Sequence, residues 1–218
     1  MTLAIFDLDN TLLAGDSDYL WGRFLVEKGA VDGIHYEREN ARFYQLYKEG
    51  RLDIHEFLRF SLAPLRQISR SRLETWRDEF LDTHIDPLIS EQARQLVQKH
   101  RQAGDTLMII TATNAFVTRP IAQRFGIQYL IATEPETLDG HFTGAVVGEP
   151  SFREGKVRRL QDWLEEHGAN LQGSWFYSDS HNDLPLLEQV DYPVAVDPDD
   201  TLAQVARDRQ WPILELHG

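Results

Sequence analysis

The chain has 218 residues, 42% of them hydrophobic, enough for one large domain or a domain carrying an inserted module. With 22 Lys and Arg against 35 Asp and Glu its net charge is -13, the wrong sign for binding nucleic acid or an anionic membrane. It has no cysteine for disulfides or thiolate chemistry, no secretory leader pattern, and no apolar run near the roughly 20 residues that cross a bilayer, so a cytoplasmic protein is expected.

Leu3 to Phe6, within "LAIFDLDNTLL", reads as a short buried strand that ends on two acids, Asp7 and Asp9. Residues i and i+2 of a strand share a face, so one pocket at the strand's carboxyl end can receive both carboxylates. An unpaired buried carboxylate is costly, so the pair asks for a reason. With split pKa values, one acid can be an ionised nucleophile and the other a proton carrier. The two can equally be oxygen ligands of a hard cation such as Mg2+, or caps of the turn that follows.

From about residue 14 to 85 the pattern is helical. Leu20 and Phe24 with Trp21 and Leu25 form one stripe; Tyr36, Phe43, Tyr44 and Tyr47 a second. Ile54, Phe57, Leu58, Leu62 and Leu65 form a third; Leu73, Trp76, Phe80 and Leu81 a fourth. Four amphipathic segments can share a small core, and the aromatic stripes read as packing.

"SEQARQLVQKHRQAG" predicts a helix burying Ala93, Leu96, Val97 and His100 and stopping at Gly104. Leu107 to Ile110 predicts a strand that delivers Thr111, a hydroxyl able to donate to a phosphate oxygen or simply to cap a helix. "TLDGHFTGAVV" predicts a hairpin turning at Asp139-Gly140. "REGKVRRLQDWLEEHG" predicts a helix ending at Gly168, with Lys156 near its start. A lysine there opposes the helix dipole, so it is either solvated or neutralises an anion. Arg153, Arg158 and Arg159 read as surface. Trp175 to Tyr177 predicts a strand delivering Asp179 and then Asp183, with His181 a loop residue, and Tyr192 to Val196 predicts a last strand. Strands alternating with helices predict an α/β fold: a Rossmann-like parallel sheet covered on both faces, with a helical insertion. Four acids at one crevice become intelligible with a divalent cation.

The ordered set "DLDNT", Thr111 after an apolar strand, Lys156 and "DSHND" resembles the haloacid dehalogenase superfamily over nearly the whole chain. It is similar to the phosphatase branch with a helical cap inserted after the first motif, home of phosphoserine phosphatases and histidinol-phosphatase-like hydrolases. The resemblance implies a core of residues 1–13 and 86–218 and a cap of 14–85. It implies that Asp7 attacks phosphorus to form a phosphoaspartate, and that Asp9 protonates the leaving alcohol and then activates water. Such an Asp9 needs help to hold its proton, for instance from neighbouring negative charge. Mg2+ is implied on Asp7, the Asp9 carbonyl and Asp179, with Asp183 binding or orienting the metal shell. Thr111 and Lys156 are implied to hold phosphate oxygens, with Asn182 supporting them. Thr in place of Ser in the second motif, and Asp-Ser in place of Asp-Gly in the last, are mild departures.

Asp16 stands where phosphoserine phosphatases carry a Glu facing the substrate ammonium, so it is either a substrate ligand or a helix cap. The expected substrate is a small phosphorylated metabolite, an amino alcohol phosphate such as histidinol phosphate. Phosphoserine is the alternative, and it asks for a cap arginine among Arg23, Arg38, Arg42, Arg51 and Arg59. A phosphate-binding or sensing protein on the same fold is the non-enzymatic alternative, but it has no need of both Asp7 and Asp9.

Overall fold

The computed structural model describes residues 2–217. The strands are β1 (Leu3–Phe6), β2 (Thr106–Asn114), β3 (Tyr129–Leu138), β4 (His141–Val147), β5 (Trp175–Ser178), β6 (Tyr192–Val196) and β7 (Ile213–Leu214). The helices are α1 (Ser17–Glu27), α2 (Gly33–Lys48), α3 (Ile54–Gln67), α4 (Arg70–Phe80), α5 (Glu91–Ala103), α6 (Ala115–Arg124), α7 (Glu154–His167), α8 (Leu184–Leu187) and α9 (Asp200–Asp208).

The strands form one sheet in the order β4-β3-β2-β1-β5-β6-β7, parallel except for the β3–β4 pair. The α/β expectation therefore holds. Leu3, Ile5, Met108, Ile110 and Phe176 face one apolar layer, and Ala4, Phe6, Leu107, Ile109 and Tyr177 face the other. That alternation buries both faces, as a parallel sheet requires. From β1 the chain goes first to β2 on one side and only later to β5 on the other. Strand order thus reverses at β1, which opens a crevice beyond its carboxyl end. The Asp7 amide donates to the Tyr177 carbonyl at 2.8 Å and seats the first acid there.

The stop and the hairpin turn fall where expected. Gly104 ends α5 in the left-handed conformation, φ 81°, while at the other end Ser90 caps it, accepting from the Ala93 amide at 3.0 Å. Asp139 and Gly140 both have positive φ, 50° and 79°, the geometry of a tight two-residue hairpin turn between β3 and β4. β2 runs farther than the apolar stretch predicts, to Asn114, and its register with β3 shifts between Ile110 and Asn114. That irregularity turns the polar Thr111–Asn114 stretch toward the crevice.

The helices of the insertion do not close on a private core. Leu25, Leu58, Leu62, Leu65, Leu73 and Phe80 belong to the same buried cluster as Phe6, Ile109 and Tyr177. Trp21 meets Phe116 of α6 edge-on at 6.0 Å, joining α1 to the sheet's own helices. Each buried Leu contributes about 1.5–3 kcal/mol, so α1, α3 and α4 are held firmly. A satellite cluster of Phe43, Leu52 and Phe152 joins α2 and the start of α3 to the loop before α7.

Candidate active site

The turn after β1 carries the first motif. Asn10 takes the left-handed conformation, φ 55°, one that Asn tolerates better than most side chains. The Leu12 and Leu13 amides close back on the Leu8 carbonyl, each at 3.0 Å. This tight fold projects Asp7 and Asp9 into a cavity roofed by Tyr19, Tyr44, Tyr47 and Phe57.

Lys156 lies in the first turn of α7 and is only 3% exposed. Its Nζ donates to Asp7 Oδ1 at 2.6 Å and to Asp183 Oδ2 at 2.8 Å. Asp183 Oδ2 also accepts from Ser178 Oγ at 2.7 Å. Lys156 is thus not a solvated surface lysine: it is buried against two carboxylates. Burial by itself would lower the ammonium's pKa; the charges of Asp183 and Asp7 outweigh it and raise it above the ordinary value. Burial pushes the Asp7 carboxyl up to about 7 despite Lys156, with Asp183 adding to the rise.

Asp9 is held by a different set of donors. The Ser17 amide donates to Oδ1 and Thr113 Oγ1 to Oδ2, both at 2.7 Å, with Thr111 Oγ1 at 3.5 Å from Oδ2. Its pKa is nevertheless raised, and the cause is burial, which outweighs those hydrogen bonds and the pull of Lys156. Burial, rather than neighbouring negative charge, is what raises it.

Asp16 caps α1 and also faces the cavity. Its Oδ1 accepts from the Asp18 amide at 3.0 Å and the Tyr19 amide at 2.9 Å. Burial first, and the Asp9 charge second, push it up to about 7. Asp18 lines the cavity too and is raised well above the usual carboxylate range by burial, Asp16 and Asp9.

Asp179 lines an adjoining cleft that shares Asn10, Tyr44 and Tyr47 with the main cavity. Its Oδ1 accepts from Thr11 Oγ1 at 3.1 Å, and its own amide donates back to that hydroxyl at 3.0 Å. Burial, Asp7 and Asp183 together raise it well above the ordinary value. Lys156 balances Asp7 and Asp183, while Asp179 has only the Thr11 hydroxyl, so the three carboxylates outnumber the one ammonium beside them, and all their oxygens are hard ligands. That charge excess fits a divalent cation such as Mg2+. Asp7, Asp179 and the Asp9 carbonyl would hold it, with Asp183 behind them. Among the described residues no three acidic, His or Cys side chains are drawn together as a cage. The Asp9 carboxylate is occupied by Ser17 and Thr113, which leaves its carbonyl for a metal.

Thr111 is 1% exposed and lines the cavity, its hydroxyl shared between Asp9 and the Thr113 amide. Asn182 does not line the cavity. Its Nδ2 donates to the Tyr47 carbonyl at 3.1 Å and to Ser180 Oγ at 3.2 Å, and its Oδ1 accepts from Arg153 at 2.9 Å. The amide has turned to the insertion because α2 offers it a helix-end carbonyl. Arg153 is correspondingly not a surface residue, and Arg159 reaches the Ala132 carbonyl. Ser180 has extended backbone, φ -110°, and caps the next turn, so Asp-Ser needs no glycine there. Tyr44, Tyr47, Ile54 and Phe57 face the cavity, so the aromatic stripes are wall as well as packing. Thr11, Asp18, Thr113 and Ser178 also belong to the site, beyond the residues the motifs mark; Thr113 stands two residues after Thr111, the same spacing as Asp7 and Asp9, and that is the signal for it.

This sheet, with an acid pair beyond its central strand and a buried lysine between two acids, defines a class of α/β hydrolase. A sequence profile described as haloacid dehalogenase-like hydrolase matches residues 4–188. The chain is 48% identical over 218 residues to a histidinol-phosphatase of Neisseria meningitidis serogroup C (strain 8013), covering 98% of each chain. It is 36% identical over 216 residues to phosphoserine phosphatase SerB1 of Mycobacterium tuberculosis (strain ATCC 25618 / H37Rv), covering 98% of this chain and 70% of that one. The crystal structure of a protein of unknown function from Bordetella pertussis Tohama I superposes with a TM-score of 0.92 at 45% identity, covering 99% of this chain and 100% of that one. The chain belongs to the haloacid dehalogenase-like hydrolase family. Its relatives and its acid pair make it an enzyme of the phosphatase kind. Among the described residues, no helix is long and apolar enough to cross a membrane.

Proposed function

We propose that this chain hydrolyses a small phosphomonoester with a cationic alcohol, of the histidinol phosphate type, through a phosphoaspartate on Asp7 and with Mg2+. The observation that carries the reading is Asp7 held at 2.6 Å by a buried Lys156, beside a half-buried Asp9 of raised pKa, in a cavity also lined by Asp16. An Asp7 oxygen attacks phosphorus as the ester P–O bond breaks, and Asp9 gives its proton to the leaving alkoxide. Asp9, now a carboxylate, takes a proton from water; the resulting hydroxide attacks phosphorus and frees phosphate and Asp7. Lys156 stays charged throughout and balances the phosphoryl oxygens and Asp183. Mg2+, when bound at Asp7, Asp179 and the Asp9 carbonyl, supplies charge to the phosphoryl oxygens. The 14–85 insertion acts as the cap that contacts the rest of the substrate and excludes water.

Asp16 and Asp18 favour an ammonium or imidazolium on the alcohol. Among the described cavity-lining residues the cation is Lys156, already committed to Asp7 and Asp183, and Arg23, Arg38, Arg42, Arg51 and Arg59 do not line it. A substrate carboxylate such as that of phosphoserine therefore finds no free cationic side chain among the described lining residues. The test compares kcat/KM with Mg2+ for histidinol phosphate, phosphoserine and p-nitrophenyl phosphate, in wild type and Asp16→Asn. Preference for the cationic ester, lost in the variant, supports the reading. Equal rates on all three in the wild type contradict it.

A further inference from the structure

We infer that Arg153 and Asn182 form a two-point clasp that holds the C-terminal end of α2 over the nucleophile, making Arg153 a positioning residue for the proposed reaction. The inference rests on that functional reading for its kinetic consequence, but the clasp itself stands on geometry. The Arg153 guanidinium donates from Nη2 to the Gly50 carbonyl, just past α2, and from Nε to Asn182 Oδ1 at 2.9 Å. Asn182 in turn donates to the Tyr47 carbonyl in the last turn of α2 at 3.1 Å. Carbonyls at a helix C-terminus carry partial negative charge, so a guanidinium is well matched to them.

The clasp lies where α2 otherwise has little to hold it. The buried residues of α2 are Tyr36, Asn40 and Phe43, and its last turn carries Tyr44 and Tyr47, which wall the cavity. Beyond the clasp, that end rests on the small cluster of Phe43, Leu52 and Phe152. The guanidinium also stacks on Phe152, 5.0 Å from its centroid.

Two backbone features are shaped to this contact. Arg153 has φ 49° and ψ -121°, a conformation unfavourable for any residue with a Cβ, and one that persists only when its surroundings enforce it. Gly50 has φ 65°, and a Cβ there would meet His181 Nε2 at 2.7 Å and Arg153 Nη2 at 3.3 Å, so glycine alone lets the loop come this close. Arg153 is in the segment that leads to Lys156, and Asn182 is next to Asp183. The wall over Asp7 is therefore fixed by the same two segments that deliver its ion-pair network.

The test uses Arg153→Ala, Arg153→Lys and Gly50→Ala in the full chain. Lysine is a point charge and cannot span Gly50 and Asn182 together, so it should not rescue. Each variant should raise KM for a phosphomonoester by about tenfold, with kcat changing less, because the wall contacts substrate throughout the reaction. Amide exchange over residues 44–52 should quicken by about tenfold while exchange in β1 and β5 stays as in wild type. Arg153→Ala/Gly50→Ala should be no worse than the poorer single variant, since both remove one clasp. Wild-type KM and wild-type exchange over 44–52 in Arg153→Ala and Gly50→Ala would overturn the proposal. Full rescue by Arg153→Lys would overturn it as well. If the wild type hydrolyses no phosphomonoester, the functional reading fails alone, and exchange still decides the clasp.

Discussion

Replacing Lys156 with methionine keeps the stem and removes the charge that Asp7 and Asp183 share. Lys156, Asp7 and Asp183 have side chains 4%, 7% and 3% exposed, so water cannot substitute for the lost ammonium. Breaking a buried pair by removing one partner costs about 3–5 kcal/mol, because the other charge is left uncompensated. For a chain of this size that is a fall in Tm of about 6–20 °C. The pH dependence has a definite sign. Asp7 already has a folded pKa near 7, above its ordinary 3.8, so the native state binds more protons than the unfolded chain between those values. Stability from this group is therefore present at low pH and lost as pH rises through about 7. Without Lys156 the carboxyl rises further, so the variant should lose stability more steeply with pH, each additional proton contributing up to about 1.4 kcal/mol per pH unit. Urea unfolding followed by circular dichroism at pH 5.5 and pH 8, with chelator present, reads both effects. The deficit should be largest at pH 8 and should shrink at about pH 5.5 as the carboxyls take protons. A variant within about 1 kcal/mol of wild type at pH 8, or a deficit that grows on acidification, would refute the reasoning.

Asp9→Asn should retain the fold and lower kcat by about 10²- to 10⁴-fold in a steady-state assay, since it removes the proton carrier. Thr113→Val removes a donor that favours the Asp9 carboxylate; the basic limb of the pH–rate profile should move to higher pH, and an unmoved limb would separate Thr113 from the chemistry. Gly155→Ala places a Cβ against the Pro150 carbonyl; denaturant titration should show a loss of about 1–3 kcal/mol or more, with Lys156 displaced. Chelation should abolish hydrolysis and Mg2+ should restore it; undiminished turnover after thorough chelation would remove the cation from the account.

The legible parts of this protein are those whose cause is local. A short apolar run ending in Asp7-Leu8-Asp9, a Gly104 stop after α5 and an Asp139-Gly140 turn each carry their structure in neighbouring residues. Lys156 did not, because what buries it is Asp7, 149 residues away, and Asp183, 27 away. Locally it is only a lysine against a helix dipole. Arg153 looked like surface for the same reason: its partners, Gly50 and Asn182, come from an insertion and from another motif. The amphipathic stripes marked α1 to α4, but periodicity cannot say what a stripe packs against. Leu58 and Leu62 joined the sheet's core, while Tyr44 and Tyr47 became cavity wall. Asn182 was legible as a motif residue, yet its partner was set by where α2 ends.

The central claim is that Asp7 is the nucleophile, and the rate of phosphomonoester hydrolysis by folded Asp7→Asn tests it most directly. The amide keeps the side chain's shape and its place beside Lys156 but is a poor nucleophile. The account predicts a protein with wild-type circular dichroism and a kcat lower by more than about 10³-fold, as removal of a covalent nucleophile entails. Turnover within about tenfold of wild type by the folded variant would contradict it.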